Sequence, residues 1–158
     1  MSLSIAVTSV KALRDPVFDF IVRVYDTFSH LIFTHDGDDV EPHGTVKVTI
    51  EVEYYPAYVP SDFGLIDIIS TPNTNVLTYR NEDFFFEINQ TIAKGTAMNI
   101  DNENTQEEAV TINDNNGIYF SNGEYQNYIW QSNGYVFYVY GNIEKEILFE
   151  IALSLVPE

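Results

Sequence analysis

Three groups of side chains in this sequence are of types that do chemistry. The first is a run of metal-ligand types: His35, Asp36, Asp38, Asp39, Glu41 and His43 lie close together, and His30 precedes them. Hard cations take several oxygen ligands, and imidazole suits zinc. The spacing argues against a site, because Asp36-Gly37-Asp38-Asp39 lacks the spaced oxygens and distal glutamate of an EF-hand loop. A solvated charged loop is the expected reading, with no metal. The second group is aromatic. Tyr54, Tyr55 and Tyr58 cluster with prolines, and Tyr119, Tyr125, Tyr128, Trp130, Tyr135, Tyr138 and Tyr140 cluster in the last third. Such a set can line a groove for a sugar, a lipid or a peptide. It can equally be core and sheet surface, since strands favour tyrosine, and this is the commoner outcome. If there is a groove, Tyr54, Tyr55, Tyr58, Tyr119, Tyr128 and Trp130 are the candidate binding surface. The third group is the 24 Asp and Glu. Paired carboxylates hydrolyse glycosides when one of them sits in an apolar setting, but abundance does not locate such a pair.

No G-x-S-x-G, H-E-x-x-H, P-loop or G-x-G-x-x-G occurs, so no catalytic residue and no cofactor are assigned. The absence of cysteine removes disulfides, thiolate nucleophiles and Cys-based metal sites. Asn89-Gln90-Thr91 fits the glycosylation pattern and matters only in a eukaryotic secreted protein. The formal net charge of the 158-residue chain is −17. Nucleic acid is therefore an unfavourable partner, because phosphate binding needs a basic face, and an anionic membrane surface repels the chain as well. A hydrophobic content of 45% argues against disorder.

These groups need elements to position them. Met1-Ser2-Leu3 reads as an added leader. Val17, Ile21, Val24, Phe28 and Leu31 recur at helical spacing after Asp15-Pro16, which predicts an amphipathic helix over 16–33, with a start as early as residue 9 if Pro16 is a kink. Residues 34–44 are an acidic loop. Val46, Val48, Ile50, Val52 and Tyr54 alternate with polar residues, predicting a strand over 45–54 that the prolines at 56 and 60 end. Shorter strands are expected at 65–69, 75–80, 83–92, 97–100 and 108–112, with a hairpin turn at Arg80–Asp83 and a turn at Asp101–Asn104. A meander over 117–121, 125–131 and 134–140 is punctuated by Asn122-Gly123 and Asn133-Gly134. The segment 135–140, apolar on both faces, reads as a central strand. A helix over 143–155 follows, with Asn142 as cap and Pro157 as terminator. The expected fold is α+β, a curved antiparallel sheet with an N-terminal and a C-terminal helix packed against it. The division is a leader at 1–3, a membrane-proximal helix and acidic loop at 4–44, and a sheet with its helix at 45–158, one domain overall.

Several short patterns in order carry a resemblance. They are Tyr55-Pro56 with Tyr58-Val59-Pro60, Ile100-Asp101-Asn102-Glu103-Asn104, the run from Gly117 through Trp130 to Gly134-Tyr135, Tyr140-Gly141-Asn142, and a helix with Ile151-Ala152 and Ser154-Leu155. Over about residues 46–155 the chain resembles a bacterial domain family of unknown function. That family forms the extracytoplasmic C-terminus of single-span membrane proteins in Gram-positive bacteria, and some of its members are anti-sigma-factor-like. The resemblance implies an extracytoplasmic, cell-membrane-anchored location through a span absent from this chain, and it brings no catalytic residues. The expected function is a non-enzymatic sensing or binding domain for an envelope ligand or protein, with a link to envelope-stress or sigma-factor signalling. The alternative is a protein-interaction module acting through the N-terminal helix or an edge strand such as 45–54. A carboxylate-based envelope hydrolase ranks last.

Overall fold

In a computed structural model, which describes residues 20–24, 28–33, 49–93, 96–101 and 105–158, every strand pairing is antiparallel. The main sheet has seven strands: β4 (Gly64–Ser70), β5 (Thr74–Arg80), β6 (Phe85–Ile92), β8 (Gln106–Ile112), β9 (Asn115–Ser121), β10 (Gln126–Ser132) and β11 (Tyr135–Gly141). Their spatial order is β4-β5-β6-β11-β10-β9-β8. A three-stranded sheet joins β1 (Phe20–Val24), β2 (Phe28–Phe33) and β7 (Ala97–Asp101) in that order. A two-stranded ribbon pairs β3 (Tyr54–Pro56) with β12 (Leu155–Pro157). Helix α1 covers Lys145–Leu153.

The hairpins follow from turn chemistry. Asn133 and Gly134 both take positive φ, 53° and 79°, as the tight turn between β10 and β11 demands. Asn113 and Asp114 (φ 47° and 66°) do the same between β8 and β9, a turn that the sequence does not advertise with a glycine. The Asn81 side chain accepts the amides of Asp83 and Phe84 at 3.0 and 2.7 Å, closing the β5–β6 turn. Within the seven-stranded sheet the non-local step is β6 against β11, in register from Tyr135 opposite Ile92 to Gly141 opposite Phe86. At Gly141 a side chain would run into the Phe85 carbonyl and come within 2.9 Å of Phe86 Cα, so glycine permits the approach.

Two clusters fill the two faces. The larger lies under α1 and the β3–β12 ribbon and includes Leu77, Phe86, Ile88, Tyr128, Trp130, Tyr135, Phe137, Val139, Leu148 and Ile151. The smaller unites Ala93, Ile118, Ile129 and Val136, with Met98 of β7 packed on it. Strand β11 is central, as its composition predicts; Tyr135, Phe137 and Val139 are buried on one face, while on the other Val136 is buried and Tyr138 and Tyr140 are half-buried.

Three expectations need correction. Residues 20–24 and 28–33, expected within one helix, are strands that pair with each other from Phe20–Phe33 to Val24–Ser29. The stripe had helical spacing, but these short runs are rich in aromatic and β-branched residues, and β7 supplies a distant partner for β2. Of the expected 45–54 strand the described part is 49–54; residues 49–53 form no ladder, and only Tyr54 is in a strand, at the start of β3. Isolated backbone bonds, from the Ile50 amide to the Pro72 carbonyl at 2.7 Å and from the Glu158 amide to the Glu53 carbonyl at 3.0 Å, combine with side chains to satisfy the 49–53 backbone. Tyr135 Oη accepts the amides of Glu51 and Val52 at 3.2 and 3.4 Å. Gln90 Nε2 donates to the Val52 carbonyl at 2.7 Å, and Gln90 Oε1 accepts the Tyr54 amide at 3.1 Å. Finally, Asn142 does not cap the helix: its Oδ1 accepts the Phe85 amide at 2.8 Å, and Glu144 holds the N-cap position without a side-chain bond. The helix ends at Leu153, and Pro157 belongs to β12. The leader, the acidic loop at 34–44, residues 9–19 and 45–48, and the Asn102–Asn104 part of the expected turn lie outside the described residues.

Candidate functional site

The six tyrosine and tryptophan candidates do not share one open groove. Tyr119, Tyr128 and Trp130 point from β9 and β10 into the larger cluster and are buried. Trp130 stacks on Phe137 with ring centroids 5.2 Å apart, and Tyr128 packs between Tyr119 and Phe149 of α1. Tyr128 Oη donates to the Lys145 carbonyl at 3.2 Å, and burial pushes its pKa up. Tyr54 and Tyr55 are half-buried on β3, with Tyr54 edge-on to Phe137. Tyr55 donates to Glu53 Oε2 at 2.7 Å, and that bond, with burial and the Glu53 charge adding to it, raises its pKa to about 12. Only Tyr58 is exposed.

The opposite face carries aromatics that the six omit. Tyr138 and Tyr140 of β11 stack at 5.0 Å, and Phe85 meets both Tyr140 and Tyr125 at 6.0 Å. All four are partly accessible. Glu87 organises this row: it accepts from Tyr140 Oη at 2.6 Å and from Thr78 Oγ1 at 3.4 Å. Tyr138 donates to Asn127 Oδ1 at 2.8 Å. Burial, then the Glu87 charge, pushes Tyr138 up to about 12, and burial with the Glu87 hydrogen bond raises Tyr140 as well. These hydroxyls stay protonated at neutral pH, so they serve as donors and not as bases.

Among the described residues, the most open apolar feature is strand β4. All seven of its residues are exposed, with Leu65, Ile66, Ile68 and Ile69 at 44, 59, 49 and 53%. Its inner side pairs with β5, while its outer edge pairs with no strand among the described residues. The register shifts between Leu65 and Asp67, so Ile66 is an extra residue bulged out of the ladder. Leu65 and Ile68 lie opposite the buried Tyr79 and Leu77, and Ile69 lies opposite Val76. The strand thus presents apolar side chains on both sides of an open edge.

At the Gly64 end of β4, the turns at 60–63, 81–84, 122–125 and 141–144 enclose a cleft of about 430 Å³. Phe63, Phe84, Ile143 and Ile147 form its apolar lining, and Asp62, Glu124 and Glu144 lie on it as carboxylates. Asn81 Nδ2 donates to Asp62 at 2.7 Å and ties the turn before β4 to the turn after β5. Among the described residues, no group of three or more His, Asp or Glu side chains is placed to hold a metal, and no helix is long and apolar enough to cross a membrane.

The sequence named residues 65–69 as a strand but gave no reason to pick them as a site. Their signal is the pair of apolar doublets, Leu65-Ile66 and Ile68-Ile69, which a one-sided strand does not need.

Residues 53–155 match the domain of unknown function DUF4367, and the chain belongs to that family. No curated protein matches the chain. Among solved structures, the crystal structure of MucB in complex with MucA(peri) is similar at a TM-score of 0.41 and 16% identity. The match covers 69% of this chain and 38% of that one, so this chain spans well under half of its length.

Proposed function

We propose that this DUF4367 domain is a non-enzymatic binding domain that acts outside the cytoplasm as part of a membrane-anchored protein and regulates envelope or sigma-factor signalling by holding another polypeptide. The observation that carries the binding reading is β4: four large aliphatic side chains exposed along a sheet edge that no other strand among the described residues pairs with. Native proteins ordinarily blunt such an edge, because unpaired backbone groups flanked by apolar side chains recruit another strand. The aromatic side chains, by contrast, are largely committed to packing. Glu87, the carboxylate at the centre of the accessible aromatic row, is occupied as the acceptor of two hydroxyls. The acidic surface suits a domain kept soluble beside an anionic membrane.

The test uses the full-length protein in its host. Protease added to intact cells should remove the domain without lysis. Deleting the domain, or introducing Ile68→Asp, should shift transcription from an envelope-responsive promoter. Protection until lysis overturns the location. A reporter indifferent to the deletion overturns the signalling role.

A further inference from the structure

The edge of β4 also says what kind of polypeptide would sit on it. We propose that β4 takes, as an additional strand, an extended segment of another protein that is apolar at its centre and carries Lys or Arg at its flanks; this rests on the binding role proposed above. The centre of the segment follows from Leu65, Ile66, Ile68 and Ile69, which offer apolar contact on both sides of the edge. Its flanks follow from charge, which gathers at the Gly64 end of the strand; Lys or Arg at both ends lets the segment meet that charge in either direction. Asp67 lies within the strand, Asp62 precedes it, and Glu82 and Asp83 occupy the turn beside Gly64, with Arg80 as the local cation opposite Gly64. Over residues 49–158 the basic residues are Arg80, Lys94 and Lys145, against seventeen carboxylates. Lys145 is committed to Glu108 at 2.7 Å and lies over the Tyr119 ring.

A second copy of the chain is the other source of an apolar strand, and electrostatics opposes it. Two chains of charge −17 repel, and edge-to-edge pairing would bring the two Asp67 strands together. A basic flank reverses the sign of that contribution. The bulge at Ile66 interrupts regular pairing at one end of the edge, so the added strand would pair its backbone along Asp67–Ser70 and meet Leu65 and Ile66 through side chains.

The experiment titrates the whole chain with a nine-residue peptide, Lys-Lys-Ile-Thr-Ile-Thr-Ile-Lys-Lys, following backbone amides by NMR. Controls are the same peptide with Glu flanks and one with alternate amides N-methylated. In about 50 mM salt, the Lys-flanked peptide should slow exchange at the β4 amides and bind at least about tenfold tighter than the Glu-flanked one, with the gap narrowing at high salt. N-methylation, or Ile66→Asp with Ile68→Asp in the protein, should abolish that protection. Equal binding of both peptides, or protection elsewhere than β4, overturns the proposal. Protection at β4 that grows with protein concentration at neutral pH without peptide identifies a second copy as the occupant and overturns it too. The two readings fail separately. If Ile68→Asp silences the host reporter while the peptides leave β4 unmoved, polypeptide binding stands and the basic strand falls. If the peptides bind β4 while domain deletion leaves the reporter unchanged, the reverse holds.

Discussion

Glu87 and Gln90 lie on one strand and face opposite sides of the sheet, and each fixes what surrounds it. Gln90 is 1% exposed, and its amide satisfies the Val52 carbonyl and the Tyr54 amide, so it substitutes for a strand partner along 52–54. Gln90→Leu should destabilise the fold by about 1–3 kcal/mol, because two backbone groups lose their partners. Hydrogen exchange should quicken at Tyr54 in particular, and unchanged exchange there would disprove the clamp. On the other face, the pKa of Tyr138 rises to about 12 through burial and then Glu87. Tyrosine ordinarily ionises near 10, so between about pH 10 and 12 the folded chain keeps a proton that the unfolded chain has lost, and stability falls as pH rises through that window. Below it the contribution is intact. Urea midpoints measured from pH 8 to 11.5 should fall less steeply for Tyr138→Phe than for the parent chain, and an identical slope would rule Tyr138 out as a source. At this scale the sequence shows residue types but not the faces they occupy. Tyr128 and Tyr138 are both strand tyrosines followed by a β-branched aliphatic residue, yet one is sealed under α1 and the other borders solvent. That difference is made by which element covers each face, and those covers come from distant parts of the chain.

The elements were legible where local chemistry decides them. Asn-Gly turns, the β9–β10–β11 meander and the C-terminal helix follow from residues that sit next to one another. Distant partners decided the rest. LIDII at 65–69 and YVFYVY at 135–140 both carry apolar residues on two faces, but the second is central, as its composition predicts, and the first is an edge; Asp67 is the one charge in either segment, and alone it does not say that the strand lacks a second neighbour. The expected helix over 16–33 failed for the same reason, since a β7 segment far along the chain turns residues 28–33 into a strand. Helix α1 offers a test of local chemistry. Its N-cap, Glu144, has φ −59° and ψ 141° and makes no side-chain cap bond. Serine at that position can accept an amide from the first turn, while Glu146 retains an acid near the helix N-terminus. Glu144→Ser should therefore raise stability by about 0.5–1 kcal/mol, read as a higher urea midpoint with an unchanged slope. A lower midpoint would show that the Glu144 carboxylate contributes more than a cap can replace.

For the whole molecule, charge and the open edge act against each other. The chain carries −17 at neutral pH and has a pI of about 4.2. Repulsion of that size keeps copies apart even though β4 exposes the kind of edge that recruits strands. Lowering the pH to the pI removes the repulsion and leaves the edge in place. Sedimentation should therefore show a monomer near pH 7.5 and self-association near pH 4.2. Isoelectric precipitation alone would give the same trend, so the location of the contact has to be separated from the loss of charge. Ile68 and Val156 make that separation possible, because both are exposed to a similar degree, 49% and 47%, on different strands. Ile68→Lys and Val156→Lys add the same charge to the molecule, but only the first places it on the open edge of the seven-stranded sheet. If β4 is the contact, Ile68→Lys suppresses association near pH 4.2 and Val156→Lys leaves most of it. Equal suppression by the two would mean that net charge alone governs solubility and that the apolar edge has no special part in it.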